Sequence, residues 1–283
     1  MELIINILKS VVFGIVQGIT EWLPISSTGH LILVEKYLPL NVFADAASNT
    51  AFFDMYKVVI QFGSILAVLL LYWNKLWPFG QNLSQKKKNS VYRLWIKIII
   101  ATIPAMIVGL LLDDWIDSKM STPVVIAVAL IVYGIAFIWL ERKEHSFATT
   151  DIRRISYKNA LKVGFFQCLA LIPGTSRSGS TILGATILGF DRPTAAEFSF
   201  YMAIPVMFGA SLLKIVKFIV KGVTVSASSV IVLLVGTVVS FAVSVVVIRY
   251  LMEYIRKHDF QVFGFYRIVL GILILVLTFA KLI

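Results

Sequence analysis

The sequence predicts an all-α polytopic membrane protein with an inverted-topology repeat, built from six transmembrane helices and two re-entrant helix–loop–helix hairpins. The first observation behind this prediction is the composition: 59% of the 283 residues are apolar, 14% are charged and the mean hydropathy is +0.89. Soluble domains have about 45–50% apolar and about 25% charged residues, so the composition disfavours a water-soluble enzyme. The other observations are the apolar runs along the chain and the similarity between its two halves.

Six apolar segments are long enough to cross a membrane, because a helix needs about 20 residues to span a hydrocarbon core of about 30 Å. These segments are 53–73, 91–112, 122–140, 197–217, 229–249 and 263–282. Pro104 and Pro205 fall inside two of them. A proline is tolerated in a membrane helix when neighbouring helices or water satisfy the carbonyl that it releases.

Two further apolar regions, 4–38 and 158–190, are each interrupted by a polar centre rich in glycine, proline and serine. The interruptions are the segments 23–30 (LPISSTGH) and 173–181 (PGTSRSGST). The half on either side of each interruption is expected to be too short to cross a bilayer. Each region is therefore predicted to be a re-entrant hairpin.

The two halves of the chain resemble each other at a constant offset of 150 residues. Six identical pairs carry this match: Gly14/Gly164, Gln17/Gln167, Ser26/Ser176, Gly29/Gly179, Ile32/Ile182 and Leu33/Leu183. We expect a single membrane domain, 1–283, in which 1–140 and 158–283 each hold one hairpin and three spans, joined by a linker at 141–157. Three crossings is an odd number, so the second copy is expected to be inverted, with the polar loops near the bilayer midplane.

Loop charges predict the orientation. Segments 74–90, 141–157 and 250–262 carry ten Lys and Arg residues, whereas 39–52, 113–121 and 218–228 carry two. The positive-inside rule places the first set, including the linker, in the cytoplasm. The same bias accounts for the net charge of +11 better than binding to nucleic acid does, so no nucleic-acid partner is expected. The one cysteine allows neither an intrachain disulfide nor a cysteine metal cluster.

Polar residues of the first hairpin form a candidate site. Glu21 follows Gln17 by four residues, so both lie on one side of a helix, and an ionisable group at membrane depth marks a function by default. Ser26, Ser27 and Thr28 precede an apolar run and can cap a helix whose N-terminus attracts an anion. The structural alternatives are that Glu21 snorkels to the interface and that the hydroxyls only cap the helix.

The second hairpin repeats this pattern and adds Arg177, whose planar guanidinium matches phosphate oxygens. The glycines allow the backbone to approach a ligand closely. The two hairpins are expected to bring together two hydroxyl-rich helix N-termini, one arginine and one glutamate at the midplane. This combination predicts a phosphate-binding site. Its expected substrate-binding residues are Gln17, Ser26, Thr28, Gly29, Ser176, Ser178, Gly179 and Thr181.

His30 lies three residues after Ser27, on the same face of a helix, and is a candidate acid/base group or activator of that serine. A purely structural histidine is the alternative. Glu21, Ser27, His30 and Arg177 are therefore the expected catalytic residues. Four other ionisable residues near span ends are expected to snorkel and play supporting roles: Asp54, Lys57, Glu197 and Arg267. The sequence holds no nucleotide-binding glycine motif, so no organic cofactor is expected.

The segment 17–21 (QGITE) and the following 22–30 (WLPISSTGH) resemble the signature of the bacterial undecaprenyl pyrophosphate phosphatase family, (E/Q)-x-x-x-E with P-[IV]-S-S-T-G-H. The segment 173–181 is similar to the second signature, P-G-x-S-R-S-x-x-T, and 196–200 (AEFSF) also fits the family. The resemblance covers nearly the whole chain. The first position of the signature is Glu or Gln, and this chain has Gln17 there. A metal site with two carboxylates at 17 and 21 is therefore not available, and Glu21 is the candidate metal ligand.

The resemblance implies an integral membrane hydrolase that acts on a phosphoanhydride, removing the terminal phosphate of undecaprenyl diphosphate. The product, undecaprenyl phosphate, is the carrier lipid reused in peptidoglycan synthesis. The resemblance also implies bacitracin resistance, stimulation by a divalent cation (Mg²⁺ or Ca²⁺) and a frequently homodimeric protein. It further implies a place in the bacterial plasma membrane, with the site open toward the outer face.

Two other function classes remain open from the residues alone. Inverted repeats with midplane sites also occur in transporters, so a lipid-phosphate transporter or flippase is the main alternative. A lipid-binding scaffold is the third. A hydrolase needs a group that activates a nucleophile, and Glu21, Ser27 and His30 would be superfluous in a simple carrier. Whether Ser27 or a water positioned by Glu21 attacks phosphorus is also open.

Overall fold

A computed structural model describes residues 2–80, 83–143, 147–220, 222 and 225–283. Within these ranges the chain is helical and contains no β-strand. The ten α-helices are α1 Glu2–Thr20, α2 Ser27–Tyr37, α3 Ala46–Leu76, α4 Gln85–Met120, α5 Pro123–Glu141, α6 Tyr157–Cys168, α7 Arg177–Ile187, α8 Arg192–Val220, α9 Ala227–Lys257 and α10 Gln261–Phe279. Short 3₁₀ turns lie at Ile152–Arg154 and Leu169–Leu171.

In the described part of the chain seven helices, rather than the predicted six, are long and apolar enough to cross a membrane. The additional helix is α1, whose 19 residues form one uninterrupted apolar helix. At 1.5 Å per residue it is about 28 Å long, close to the thickness of the hydrocarbon core. The prediction that this half of the first hairpin is too short to cross is therefore wrong. By contrast, α2, α6 and α7 have 11, 12 and 11 residues, as expected for short segments.

Helix pairs from the two halves pack against each other. Helix α1 packs on α9, α4 on α6, α3 on α8 and α9, and α5 on α10. The α5–α10 contact depends on two glycines, because a Cβ on Gly134 would lie 2.7 Å from the carbonyl oxygen of Gly264, and one on Gly264 would lie 2.8 Å from that of Gly134. Small residues at such crossings let membrane helices approach closely.

The linker between the halves packs on the rest of the protein. Asp191 donates its backbone N–H to the Thr149 carbonyl at 3.0 Å, and Lys97 donates to the Arg153 carbonyl at 2.8 Å. At the linker's start, the buried carboxylate of Glu141 pairs with Arg192 at the beginning of α8. Residues 144–146 of this linker lie outside the described part of the chain.

Large apolar side chains are exposed along most of the long helices, as a lipid-facing surface requires. Leu111 of α4 is 76% exposed and Val220 of α8 is 80% exposed. The largest buried cluster lies between α3, α4, α7, α8 and α9 and surrounds Trp22, which follows α1. The loops after α1 and before α7 meet beside this cluster, and they carry the predicted site residues.

Candidate active site

Two serines with the same unusual backbone begin the two short helices of the site. Ser26 precedes α2 with φ 73°, and Ser176 precedes α7 with φ 71°. Positive φ is uncommon for a residue with a side chain. Each serine Oγ accepts a hydrogen bond from a glycine N–H, Gly29 at 3.4 Å and Gly179 at 3.2 Å. The loops thus turn sharply into helices whose first N–H groups and dipoles favour an anion nearby.

The centre of the site is a buried ion pair between the two halves of the chain. Arg177 Nη2 lies 2.9 Å from Glu21 Oε1, and the two side chains are 10% and 4% exposed. The other carboxylate oxygen, Oε2, accepts hydrogen bonds from Gln17 Nε2 and Ser27 Oγ, both at 2.9 Å. The structure therefore brings three of the predicted catalytic residues together: Glu21, Ser27 and Arg177.

Arg177 is also held from α8. Its Nη1 donates to the Ser199 carbonyl at 2.8 Å and to Ser199 Oγ at 3.3 Å. Thr181 Oγ1 lies 2.6 Å from the same Ser199 Oγ. The guanidinium carbon lies 5.4 Å from the ring centroid of Trp22. Two sides of the guanidinium are thus fixed, one by α8 and one by the loop after α1, so its plane is oriented before any ligand binds.

Arg267 of α10 joins the two loops, and sequence reasoning placed it wrongly. It was expected to snorkel near a span end, but it is completely buried. Its Nη1 donates to the Pro24 carbonyl at 2.9 Å, and its Nη2 donates to the carbonyls of Gly174 and Thr175 at 3.0 and 2.8 Å. Tyr133 of α5 lies against its guanidinium, 5.3 Å from ring centroid to carbon. Arg267 therefore fixes one loop relative to the other and adds a second positive charge where the loops meet.

His30 lies on α2 but is not bonded to Ser27. Its Nδ1 donates to the Ser26 carbonyl at 2.7 Å, and its Nε2 lies 2.7 Å from the hydroxyl of Tyr266. The hydroxyl of Ser27 points instead to Glu21. In this structure Glu21, rather than His30, is the acceptor for the Ser27 proton.

The predicted binding residues divide into two groups. Ser178 Oγ donates to the backbone carbonyl of Glu21 at 3.0 Å and lies 3.1 Å from Ser176 Oγ. Thr28, by contrast, is exposed on α2. The other supporting residues also differ: Asp54 and Lys57 form a partly exposed pair at 2.7 Å, as snorkelling predicts, whereas Glu197 is buried and accepts from Lys75 and Tyr201.

Three buried polar atoms beside the ion pair have no hydrogen-bond partner among the described residues: Gln17 Oε1, Trp22 Nε1 and Arg177 Nε. Buried polar groups in proteins are nearly always bonded to protein or to water. One acceptor and two donors at this place therefore suit a site that receives a polar ligand or water. An apolar cavity of about 400 Å³ adjoins the loops and is lined by Leu23, Ile25, His30 and Tyr266 among others.

The candidate metal ligand, Glu21, does not sit in a metal-binding cluster. In the described ranges no three His, Cys, Asp or Glu residues converge, and both Glu21 oxygens already have partners. Mg²⁺ commonly binds one or two carboxylates together with substrate phosphates. The residues present do not fit a resident metal ion held by protein alone.

The arrangement can bind an anion and help to transfer a phosphoryl group. It offers two arginines, two helix N-termini, one carboxylate and one hydroxyl within a buried region. Sequence reasoning missed the Ser199 carbonyl and the Tyr133 and Tyr266 hydroxyls. The segment 196–200, which also fits the family signature, was the one signal for Ser199.

Comparison with known proteins identifies the family of the chain. The family described as bacitracin resistance protein BacA matches residues 10–273. The undecaprenyl-diphosphatase of Streptococcus pyogenes serotype M4 is 49% identical over 281 residues, covering 99% of both chains. That of Enterococcus faecalis is 51% identical over 278 residues, covering 97% of this chain and 98% of the relative. The chain therefore belongs to the BacA family.

Proposed function

We propose that this protein is an integral membrane phosphatase that hydrolyses undecaprenyl diphosphate to undecaprenyl phosphate and inorganic phosphate. The observation that carries the proposal is the buried Glu21–Arg177 pair, with Ser27 on the same carboxylate, at the start of two helices. The relatives that are named undecaprenyl-diphosphatases match essentially the whole chain. The activity would recycle the carrier lipid for peptidoglycan synthesis and confer bacitracin resistance.

The positive groups would stabilise the charge that moves during the reaction. When an oxygen attacks the terminal phosphorus, the bond to the bridging oxygen breaks and negative charge develops on the departing lipid monophosphate. Arg177 and the N–H groups at the start of α7 would bind these oxygens, as charge stabilisation dominates phosphoryl transfer. Arg267 would hold the two loops in place and add to the positive potential.

Glu21 would receive the proton of the attacking group. If Ser27 attacks, its proton passes to Glu21 Oε2, a phosphoserine forms, and water then releases phosphate. If water attacks, Glu21 positions it and Ser27 donates a hydrogen bond. The 2.9 Å contact between Ser27 Oγ and Glu21 Oε2 serves either route. The bond from Arg177 to Oε1 would have to weaken as the guanidinium engages the diphosphate.

The internal repeat supports an inverted architecture in which α6 and α7 form a re-entrant hairpin, whereas in the first half α1 is of spanning length and only α2 is short. The contact between α1 and α9 has its counterpart in that between α6 and α4, and α5 packs on its own counterpart α10. The equivalent serines Ser26 and Ser176 share positive φ and the same cap. We place the linker in the cytoplasm and the site open to the outer face of the bacterial plasma membrane, from the loop charges and the family resemblance.

Two expectations about partners depend on the family resemblance alone. A homodimer is one of them. The other is a divalent cation, which would have to be held largely by the diphosphate, because the site lacks a ligand cluster among its described residues. Titration of Mg²⁺ and Ca²⁺ against phosphate release after chelation tests this second expectation.

Release of inorganic phosphate by the purified protein in detergent separates the hydrolase from the transporter. Detergent micelles have no second compartment, so a carrier has no net reaction there. A hydrolase releases one phosphate for each undecaprenyl diphosphate consumed. Consumption without phosphate, or no consumption by folded protein, would contradict the proposed function.

A further inference from the structure

The imidazole of His30 is fixed at both nitrogens. Nδ1 lies 2.7 Å from the Ser26 carbonyl, and Nε2 lies 2.7 Å from the Tyr266 hydroxyl. The rings of His30 and Tyr266 are nearly parallel, with an angle of 8° and centroids 5.6 Å apart. An isolated imidazole on a helix has no reason to adopt one orientation, so these contacts determine where its nitrogens point.

The partners also determine which nitrogen carries the proton. A carbonyl oxygen only accepts hydrogen bonds, so Nδ1 of His30 must be protonated. In the neutral ring Nε2 then has a lone pair, and the Tyr266 hydroxyl donates to it. In the charged ring Nε2 donates and the hydroxyl accepts. Tyrosine can do both, so this bond survives a change of protonation at His30.

Tyr266 occupies a place from which it can act on the site. It precedes Arg267, which fixes the two loops from the same helix, α10. It is 45% exposed and lines the apolar cavity together with Val262 and Phe263. The cavity continues to His30 and to Leu23 and Ile25 of the first loop. The hydroxyl is thus held at the border between the apolar cavity and the polar loops.

We propose that Tyr266 is a positioning residue for His30, which keeps the Nδ1–H tautomer and presents Nε2 as the nitrogen that exchanges a proton during phosphate release. This inference rests on the proposed function, because it assigns His30 a part in that reaction. In this exchange Nε2 takes a proton from water and gives it to the departing lipid monophosphate, while Glu21 receives the proton of the attacking group. Nδ1 stays bonded to the Ser26 carbonyl throughout. Fixing a tautomer through a hydrogen bond to the other ring nitrogen is a general way in which proteins prepare a histidine for proton transfer.

Three variants separate the hydroxyl from the ring. Tyr266→Phe removes the hydroxyl and keeps the stacking, and Tyr266→Leu removes both. Tyr56→Phe is the matched control, because it removes the hydroxyl of an α3 tyrosine that lies 2.7 Å from Ser10 Oγ of α1 and is not bonded to any described residue of the site. We expect Tyr266→Phe to lower kcat of phosphate release by about 10- to 100-fold, with KM changed less than about threefold, since a misplaced group costs mainly kcat. Tyr56→Phe should keep the wild-type kcat.

The ¹⁵N NMR spectrum of protein labelled with ¹⁵N-histidine provides a second measurement. Its ring-nitrogen shifts would not change if Tyr266 only packed against His30. His30→Gln identifies the His30 signals. In the wild type the Nδ1 signal should be that of a protonated nitrogen. The Nε2 signal should be that of an unprotonated nitrogen that accepts a hydrogen bond. In Tyr266→Phe the Nε2 signal should shift toward that of an unbonded nitrogen, while the Nδ1 signal stays.

The outcomes distinguish the two proposals. Wild-type protein without phosphate release would refute the proposed function itself. An active wild type with full kcat in Tyr266→Phe and a loss only in Tyr266→Leu would assign Tyr266 to packing and overturn the inference. Full activity of His30→Gln would overturn it as well, because Tyr266 would then have no group to position.

Discussion

Replacing Arg177 by lysine tests whether the geometry of the guanidinium, rather than its charge, is needed. Arg177 contacts Glu21 Oε1 at 2.9 Å with one nitrogen and the Ser199 carbonyl at 2.8 Å with another. A lysine keeps the positive charge but has a single nitrogen, which cannot keep both fixed contacts and a planar pair of donors for phosphate oxygens.

The hydrogen bonds of Arg177 set the expected loss of kcat/KM in Arg177→Lys. A hydrogen bond to a charged group contributes about 1.5–3 kcal/mol, and the lysine loses at least one such bond in the transition state. At about 1.4 kcal/mol for each factor of ten, kcat/KM should fall about 10- to 150-fold. The measurement is the initial rate of phosphate release from undecaprenyl diphosphate in detergent, at several substrate concentrations.

Arg192→Lys provides the matched control. Arg192 also pairs with a buried carboxylate, donating to Glu141 through two nitrogens, but lies at the start of α8 beside the linker. Its replacement should lower stability and leave kcat/KM within about threefold of the wild type, since distant sites act independently. An Arg177→Lys protein that falls in the same range would refute bidentate binding of the diphosphate.

Three further predictions concern topology, mechanism and packing. After removal of the single cysteine, a new cysteine is placed at one of two exposed positions, Asn89 or Ala47. In intact cells an impermeant thiol reagent should label the cysteine at position 47 and not the one at position 89. Labelling of both would contradict the predicted orientation. Hydrolysis of a chiral terminal thiophosphate should retain configuration if Ser27 forms a phosphoserine, whereas inversion would assign the attack to water. Gly63→Ala should lower the free energy of unfolding by about 1–3 kcal/mol, because its Cβ would overlap a carbonyl of α9. Gly209→Ala is the control, because open space surrounds Gly209, and it should not lower the free energy of unfolding measured by thermal unfolding. An equal loss of stability in Gly63→Ala and Gly209→Ala would be inconsistent with close packing of α3 on α9.

Local motifs explain why the centre of the site could be predicted from the sequence. Ser26 and Ser176 lie at breaks in apolar regions, and hydroxyl residues at such breaks favour helix N-termini. Glu21 lies just before the first break and Arg177 within the second, and ionisable residues at membrane depth mark a function by default. Their hydrogen bond joins positions 156 residues apart, so it depends on the packing of the two halves rather than on either motif.

The remaining parts of the site depend on tertiary structure that hydropathy does not report. Arg267 lies near the end of an apolar segment, a position that is equally compatible with snorkelling and with an inward-facing side chain. Only the packing of α10 against α5 turns it toward the loops. The Ser199 carbonyl is a backbone atom and has no residue-type signature. The polar break at 23–30 predicts a hairpin, although the 19 residues of α1 before it form one uninterrupted apolar helix.

The most direct test of the account compares Glu21→Gln with the wild type in release of inorganic phosphate from undecaprenyl diphosphate by purified protein. Glutamine keeps the shape of the side chain but removes the charge that pairs with Arg177 and accepts from Ser27. Glu253→Gln, at an exposed glutamate of α9, is the matched control. We predict release of one phosphate per lipid by the wild type and the control, and a rate at least about 100-fold lower for Glu21→Gln, the size of a lost acid/base group. Undiminished release by folded Glu21→Gln would contradict the account.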